Sequence, residues 1–159
     1  MEPRIEWIAE RKIVGKRMIM SLAGFQPAKL WSSFMPGRES ILNRIGTDLL
    51  SVSIYKPGYF SDFSPANTFE KWAAVEVSGF DSVPEGMERF TIPEGSYAVF
   101  DYKGAGDDNR IFSFIFGEWI PSSEYEVDNR PHFEVLGPKF RNNDPGSEEE
   151  IWIPVCKRA

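Results

Sequence analysis

Glu134 stands in an apolar, aromatic run, Arg130-Pro131-His132-Phe133-Glu134-Val135-Leu136. The run lies just ahead of Ser147-Glu148-Glu149-Glu150-Ile151-Trp152-Ile153-Pro154-Val155. A carboxylate in such surroundings is costly unless a partner satisfies it. Strand alternation would let Glu134 point outward to water. Pointing inward, it is an acid at the base of an aromatic pocket, and such an acid has two chemical uses. It can hold a cation, helped by attraction to the faces of Trp or Tyr rings. Burial can also raise its pKa, fitting it for general acid or base work near neutrality. The plain structural alternative is an ion pair with a neighbour such as Arg130.

The other reactive groups are few. The chain has one histidine, His132, and one cysteine, Cys156. His132 follows a proline inside the aromatic run, so a packed or hydrogen-bonded role is expected rather than a place in a Ser-His-Asp triad. Cys156 reads as inert. One His and one Cys cannot make a structural zinc site, and neither metal nor cofactor is expected. No Walker loop, dinucleotide glycine fingerprint or Gly-x-Ser-x-Gly elbow is present. Glu148-Glu149-Glu150 reads as a solvated lead into a strand. Glu76 alternates with Ala74 and Trp72, which puts the three on one face. A two-carboxylate mechanism would need two of these acids within a few ångströms, which spacing alone does not fix.

Bulk properties narrow the class. A chain of 159 residues is expected to form one domain, spanning 1–159. Aromatics make up 14%, enough both to build a core and to line a cavity. A net charge of −6 with no basic stripe argues against nucleic acid and anionic membranes as partners. No apolar run approaches the ~20 residues that span a bilayer, and the first residues lack a signal-peptide pattern. A single cysteine fits a reducing compartment. A cytoplasmic location is the expectation.

Several elements must position these residues. The β-branched Ile13, Val14 and Ile19 predict a strand within residues 5–21, broken by Gly24. Leu30, Trp31 and Phe34 share a helical face. Pro36-Gly37 interrupts it, and Ile41, Leu42 and Ile45 resume helical spacing up to Gly46. Strands are predicted over 49–55, 72–77, 88–92 and 97–103. A polar turn follows from Gly104 to Asp108, with Asp108 able to cap a helix. Ile111, Phe112, Ile115, Phe116 and Trp119 give that helix its apolar face, and Pro121 is expected to end it. Strands over 131–136 and 151–155 complete the chain. Glu70-Lys71-Trp72-Ala73-Ala74-Val75-Glu76-Val77 echoes residues 149–155, with Trp72 and Trp152 80 residues apart. The stretch 53–59 echoes 134–140, with Pro57 and Pro138 81 apart. The two halves thus read as copies of one strand–helix–strand–strand unit, about 4–80 and 86–157. The fold class is α+β, with antiparallel sheets and helices on one face.

Taken in order, these segments resemble the GyrI-like small-molecule-binding family, which includes effector-binding domains of AraC-type and MerR-type transcription regulators. The resemblance runs through Leu30-Trp31-Ser32-Ser33-Phe34-Met35, Phe69 to Val77, Ile92 to Phe100, Trp119 to Tyr125, Arg130 to Glu134 and Glu148 to Pro154. It implies a duplicated fold with a ligand cleft between the halves and a glutamate at the heart of the pocket, on the strand before the last. Glu134 matches that position. Family pockets are otherwise lined by aromatics, for which Trp31, Tyr55, Trp72, Tyr102, Trp119 and Trp152 match by type and region. The expected function is a stand-alone multidrug-type module that binds lipophilic, cationic or aromatic small molecules. The family also suggests two alternatives, a hydrolase of cyclopropane-bearing electrophiles and a protein that interacts with DNA gyrase. As a hydrolase the chain would use Glu134 as acid or base, with Glu76 or Tyr102 as a second polar group.

Overall fold

The computed structural model describes residues 1–104, 109–141 and 144–159. Residues 105–108 of the turn expected from Gly104 to Asp108, with the Asp108 cap, lie outside them. The strands are β1 (Arg4–Ile8), β2 (Arg11–Ser21), β3 (Leu49–Ile54), β4 (Thr68–Val77), β5 (Glu88–Ile92), β6 (Gly95–Lys103), β7 (Tyr125–Val127), β8 (His132–Leu136) and β9 (Glu148–Lys157). They form one sheet in the order β1-β6-β9-β8-β3-β4-β2-β5, with β7 added alongside β9. Neighbours pair antiparallel throughout.

That order reads the same from either end once β1 is exchanged with β5, β2 with β6, β3 with β8 and β4 with β9. The register agrees with the exchange. Val52 faces Trp72 across β3 and β4, and Phe133 faces Trp152 across β8 and β9. These pairs are related by the same 81- and 80-residue offsets seen in the sequence. The two halves meet at the β3–β8 seam. They are also cross-stitched, since β1 pairs with β6 and β5 with β2.

Alternation divides the side chains between two faces. One face carries Leu50, Val52, Trp72, Ala74, Tyr97, Val99, Phe133 and Trp152 in a single core. Ile8 and Ile92, from the two ends of the strand order, join it, so the sheet curls around this face. The other face carries two separate cores, each under a helix. The helix α1 (Pro27–Phe34) buries Leu30 and Phe34 against Val14, Ala73, Val75 and Val77. The second helical stretch buries Ile111, Ile115 and Ile120 against Ala98, Phe100, Ile151 and Ile153. Of the seam residues that point to this side, Leu49 packs against the first of these cores, while Ser51, Ser53, His132 and Glu134 belong to neither.

Two helix boundaries differ from expectation. After α1 the chain makes a 3-10 turn (Met35–Ser40), and residue 41 is extended. Ile41, Leu42 and Ile45 do not resume a helix. The backbone of this segment instead bonds to the end of β4, through Ile45 N to Glu76 O at 2.8 Å and Ser78 N to Asn43 O at 3.0 Å. Ile41 is buried while Leu42 is exposed, as an extended chain on a sheet requires. The second helix, α2 (Arg110–Phe114), opens into a π-helical turn (Ile115–Trp119) and closes with α3 (Ile120–Ser122). Pro121 therefore lies within the last turn rather than ending the helix. A widened turn just ahead of a proline shifts the carbonyl that its ring would otherwise strike.

Candidate functional site

The seam between the helices is floored by polar side chains. Parity places Ser51 and Ser53 of β3, Lys71 of β4, His132 and Glu134 of β8 and Glu149 of β9 on the helix-bearing face. Ser51 pairs with Glu134 and Ser53 with His132. Ser51, Ser53, Lys71 and His132 are all buried. The Lys71 ammonium donates to Ser53 Oγ at 2.9 Å.

Glu134 and Glu149 share a hydrogen bond, which requires a proton between them. Burial, followed by the charge of Glu134 and this bond, pushes the Glu149 carboxyl up to about 9, with Lys71 pulling the other way. Burial pushes the Lys71 ammonium down, and Glu134 and Glu149 push it back up. Glu149 Oε2 is buried with no hydrogen-bond partner among the described residues.

Aromatic rings rise from one side of this floor. Tyr55 lies 4.6 Å from Tyr59, 5.0 Å from Phe60 and 4.9 Å from His132, ring centre to ring centre. Phe60 crosses the seam and stacks on Phe116 of the second helical stretch at 5.6 Å. Burial lifts the Tyr55 phenol to about 12, with the charges of Tyr59 and Glu134 adding to the rise and Ser53 opposing it. A cavity of about 270 Å³ opens beside these rings, bordered by Tyr55, Tyr59, Phe60, Asp128, Arg130 and His132.

The sequence candidates fall into three groups. Glu134 and Tyr55 come together at the seam. Tyr102 faces Glu149 across β6 and β9, while Trp31 and Trp119 pack in the helix-side cores of opposite halves. Trp72 and Trp152 are not brought to Glu134. They lie buried in the core of the opposite face, and each indole N–H donates to a glutamate two residues earlier, Glu70 at 2.6 Å and Glu150 at 3.2 Å.

Three expectations are corrected here. Arg130 does not pair with Glu134: its guanidinium donates to Asp128 at 2.7 Å and to the Ser96 and Val155 carbonyls. Glu76 is not the second acid, because its parity puts it on the Trp72 face. Glu148-Glu149-Glu150 is not a uniformly solvated run, because Glu149 turns inward to Glu134 while Glu150 pairs with Arg4 at 2.7 Å.

Lys71 and Glu149 are not singled out by motif, yet parity marks both. Lys71 shares its face of β4 with buried Phe69, Ala73, Val75 and Val77, and half-buried Glu149 shares its face of β9 with buried Ile151, Ile153 and Val155. Among the described residues, no group of His, Cys, Asp or Glu could hold a metal ion. No helix there is long and apolar enough to cross a membrane.

Comparison with known proteins agrees with this architecture. The chain is 29% identical over 145 residues to the transcriptional regulator BrlR of Pseudomonas aeruginosa, covering 90% of this chain and 51% of BrlR. It thus spans about half the length of that regulator. In fold it is similar to SAV2435 bound to tetraphenylphosphonium, with a TM-score of 0.71 at 19% identity over 98% of this chain and 94% of that one. The C-terminal domain of EcmrR superposes with a TM-score of 0.69 at 18% identity, covering 99% and 98% of the two chains. Residues 4–155 match the Cass2 family, described as integron-associated effector binding proteins. The chain belongs to that family, an effector-binding fold of the GyrI-like kind.

Proposed function

We propose that this chain binds lipophilic aromatic small molecules in the cleft over the β3–β8 seam. The hydrogen-bonded acid pair, Glu134 and Glu149, anchors the ligand's polar or cationic group, and Tyr55, Phe60 and Phe116 supply ring contacts. One observation carries this reading: two half-buried carboxyls meet on the seam between the two helix-side cores, beside a cluster of aromatic rings. A purely structural seam would be filled with apolar side chains, as the flanking cores are. An acid pair inside a low-dielectric cleft interacts strongly with whatever polar group displaces its water. The fold relative that carries tetraphenylphosphonium, a lipophilic cation, supports the ligand class.

Titration calorimetry with tetraphenylphosphonium and a neutral aromatic compound, on wild type and Glu134→Gln, tests the proposal. The variant is expected to keep the fold and to weaken phosphonium binding at least about tenfold, equal to about 1.4 kcal/mol. Equal affinity in the two proteins would remove Glu134 from the site.

A further inference from the structure

Lys71 puts an amine where an effector's own charge would be expected to lodge. Its side chain is 8% exposed, and it feels both Glu134 and Glu149. Among the described residues its ammonium donates a hydrogen bond to the Ser53 hydroxyl. We propose that Lys71 is a built-in countercation of the Glu134–Glu149 pair, so that the cleft selects neutral, hydrogen-bond-donating aromatic ligands over permanent cations. The inference rests on the cleft being the binding site.

The argument is one of proton counting. Two protons distributed over two carboxyls and one amine leave the cluster neutral. They sit either as one carboxylate, one carboxylic acid and one ammonium, or as two acids and a free amine. Both arrangements avoid a net buried charge, which is the costly outcome. A permanent cation entering the cluster is drawn by the acid pair but opposed by the Lys71 ammonium, so it is held more weakly than the acid pair alone would hold it. A neutral donor finds a vacant acceptor, because Glu149 Oε2 is buried and unpartnered among the described residues. Removing the amine takes one positive charge from the set and leaves the acid pair with a single negative charge, which is a cation site.

The experiment uses two probes, tetraphenylphosphonium and bisphenol A, the latter neutral with two phenol donors. Both are titrated into wild type, Lys71→Met, Lys71→Gln and Glu134→Gln. Phosphonium affinity is expected to rise about tenfold or more in both Lys71 variants, a gain of about 1.4 kcal/mol. Bisphenol A affinity is expected to stay within about threefold, because a neutral probe does not sense the lost charge. Phosphonium affinity within twofold of wild type in both variants, with Glu134→Gln still weakened, overturns the countercation role and leaves the binding site standing. Equal gains for both probes also overturn it, since they report a wider cleft rather than a changed charge. If neither probe binds any of the proteins, the binding site and the inference fall together.

The unmodified chain offers a second test, independent of how the variants fold. Raising the pH from about 7 to about 9 draws the proton from the Glu149 carboxyl and should tighten phosphonium binding but not bisphenol A binding. Of the other groups at the seam, His132 is already neutral and Tyr55 keeps its phenol proton to about 12. Arg130 remains paired with Asp128. Phosphonium affinity that does not change over this range overturns the inference.

Discussion

Burial, then the charges of Lys71 and Arg130, drive the His132 imidazole down to about 3 from an ordinary 6.5. The folded chain therefore binds fewer protons at this residue than the unfolded chain between those values. Stability from His132 is present above about pH 6.5 and is lost as pH falls toward 3. Glu149, raised to about 9, acts in the opposite sense, since its contribution declines as pH rises through its window. The two windows overlap, so the useful quantity is the difference between wild type and His132→Phe. Phe keeps a ring beside Tyr55 and Phe60 but does not titrate. Urea melts at pH 7 and pH 4 should show the variant gaining on wild type with acid, by at most about 1.4 kcal/mol per pH unit. Parallel losses in the two proteins would place the acid sensitivity elsewhere. At this scale Glu134 is legible from the sequence because a lone acid among aromatics is costly. Lys71 and Glu149 are legible only through parity, since a charged residue near other charges in sequence looks solvated until strand pairing shows which way it points.

Strands are the elements that the sequence reads best, because alternation and β-branching survive into the sheet. The helix ends are read less well. Local periodicity at Ile41, Leu42 and Ile45 is overridden by backbone pairing to β4, a long-range interaction. β7, three residues long, is too short to carry a pattern of its own. Element packing also makes opposite predictions for two glycines. Gly15 of β2 lies between Ala74 of β4 and Glu88 of β5. A Cβ there would overlap the Ala73 carbonyl oxygen and lie 2.7 Å from Ala74 Cα. Gly15→Ala should cost about 1–3 kcal/mol, as overpacking does. Gly117, in the π-helical turn, has no neighbour among the described residues beyond its own helix within 4 Å of an added Cβ. Gly117→Ala should be neutral or stabilise by about 0.4–1 kcal/mol. Thermal or urea melts of the two variants check the pair, and a destabilised Gly117→Ala would mean that the turn needs glycine for its backbone path.

The duplicated architecture gives the molecule two cores on its helix-bearing face and leaves the seam between them to polar side chains. The 80- and 81-residue echoes carry that symmetry in the sequence. The exchange of β1 and β5 between halves does not show there, because edge pairing depends on how the finished sheet closes. Phe60 is one ring that joins the two helix-side halves. It belongs to the first half, touches Tyr55 and His132, and stacks on Phe116 of the second at an interplanar angle of 23°. It is also 45% exposed, so it stands at the mouth of the cleft rather than in a core. A ligand reaching Glu134 from this side must part Phe60 from Phe116, a contact worth about 0.5–1.5 kcal/mol. Phe60→Ala should therefore leave the sheet intact and lower stability by about that amount. It should also speed both association and dissociation of tetraphenylphosphonium in stopped-flow measurements, because the contact that resists entry also resists exit. Rates unchanged by the substitution, with equilibrium affinity retained, would mean that ligands enter along another side of the seam.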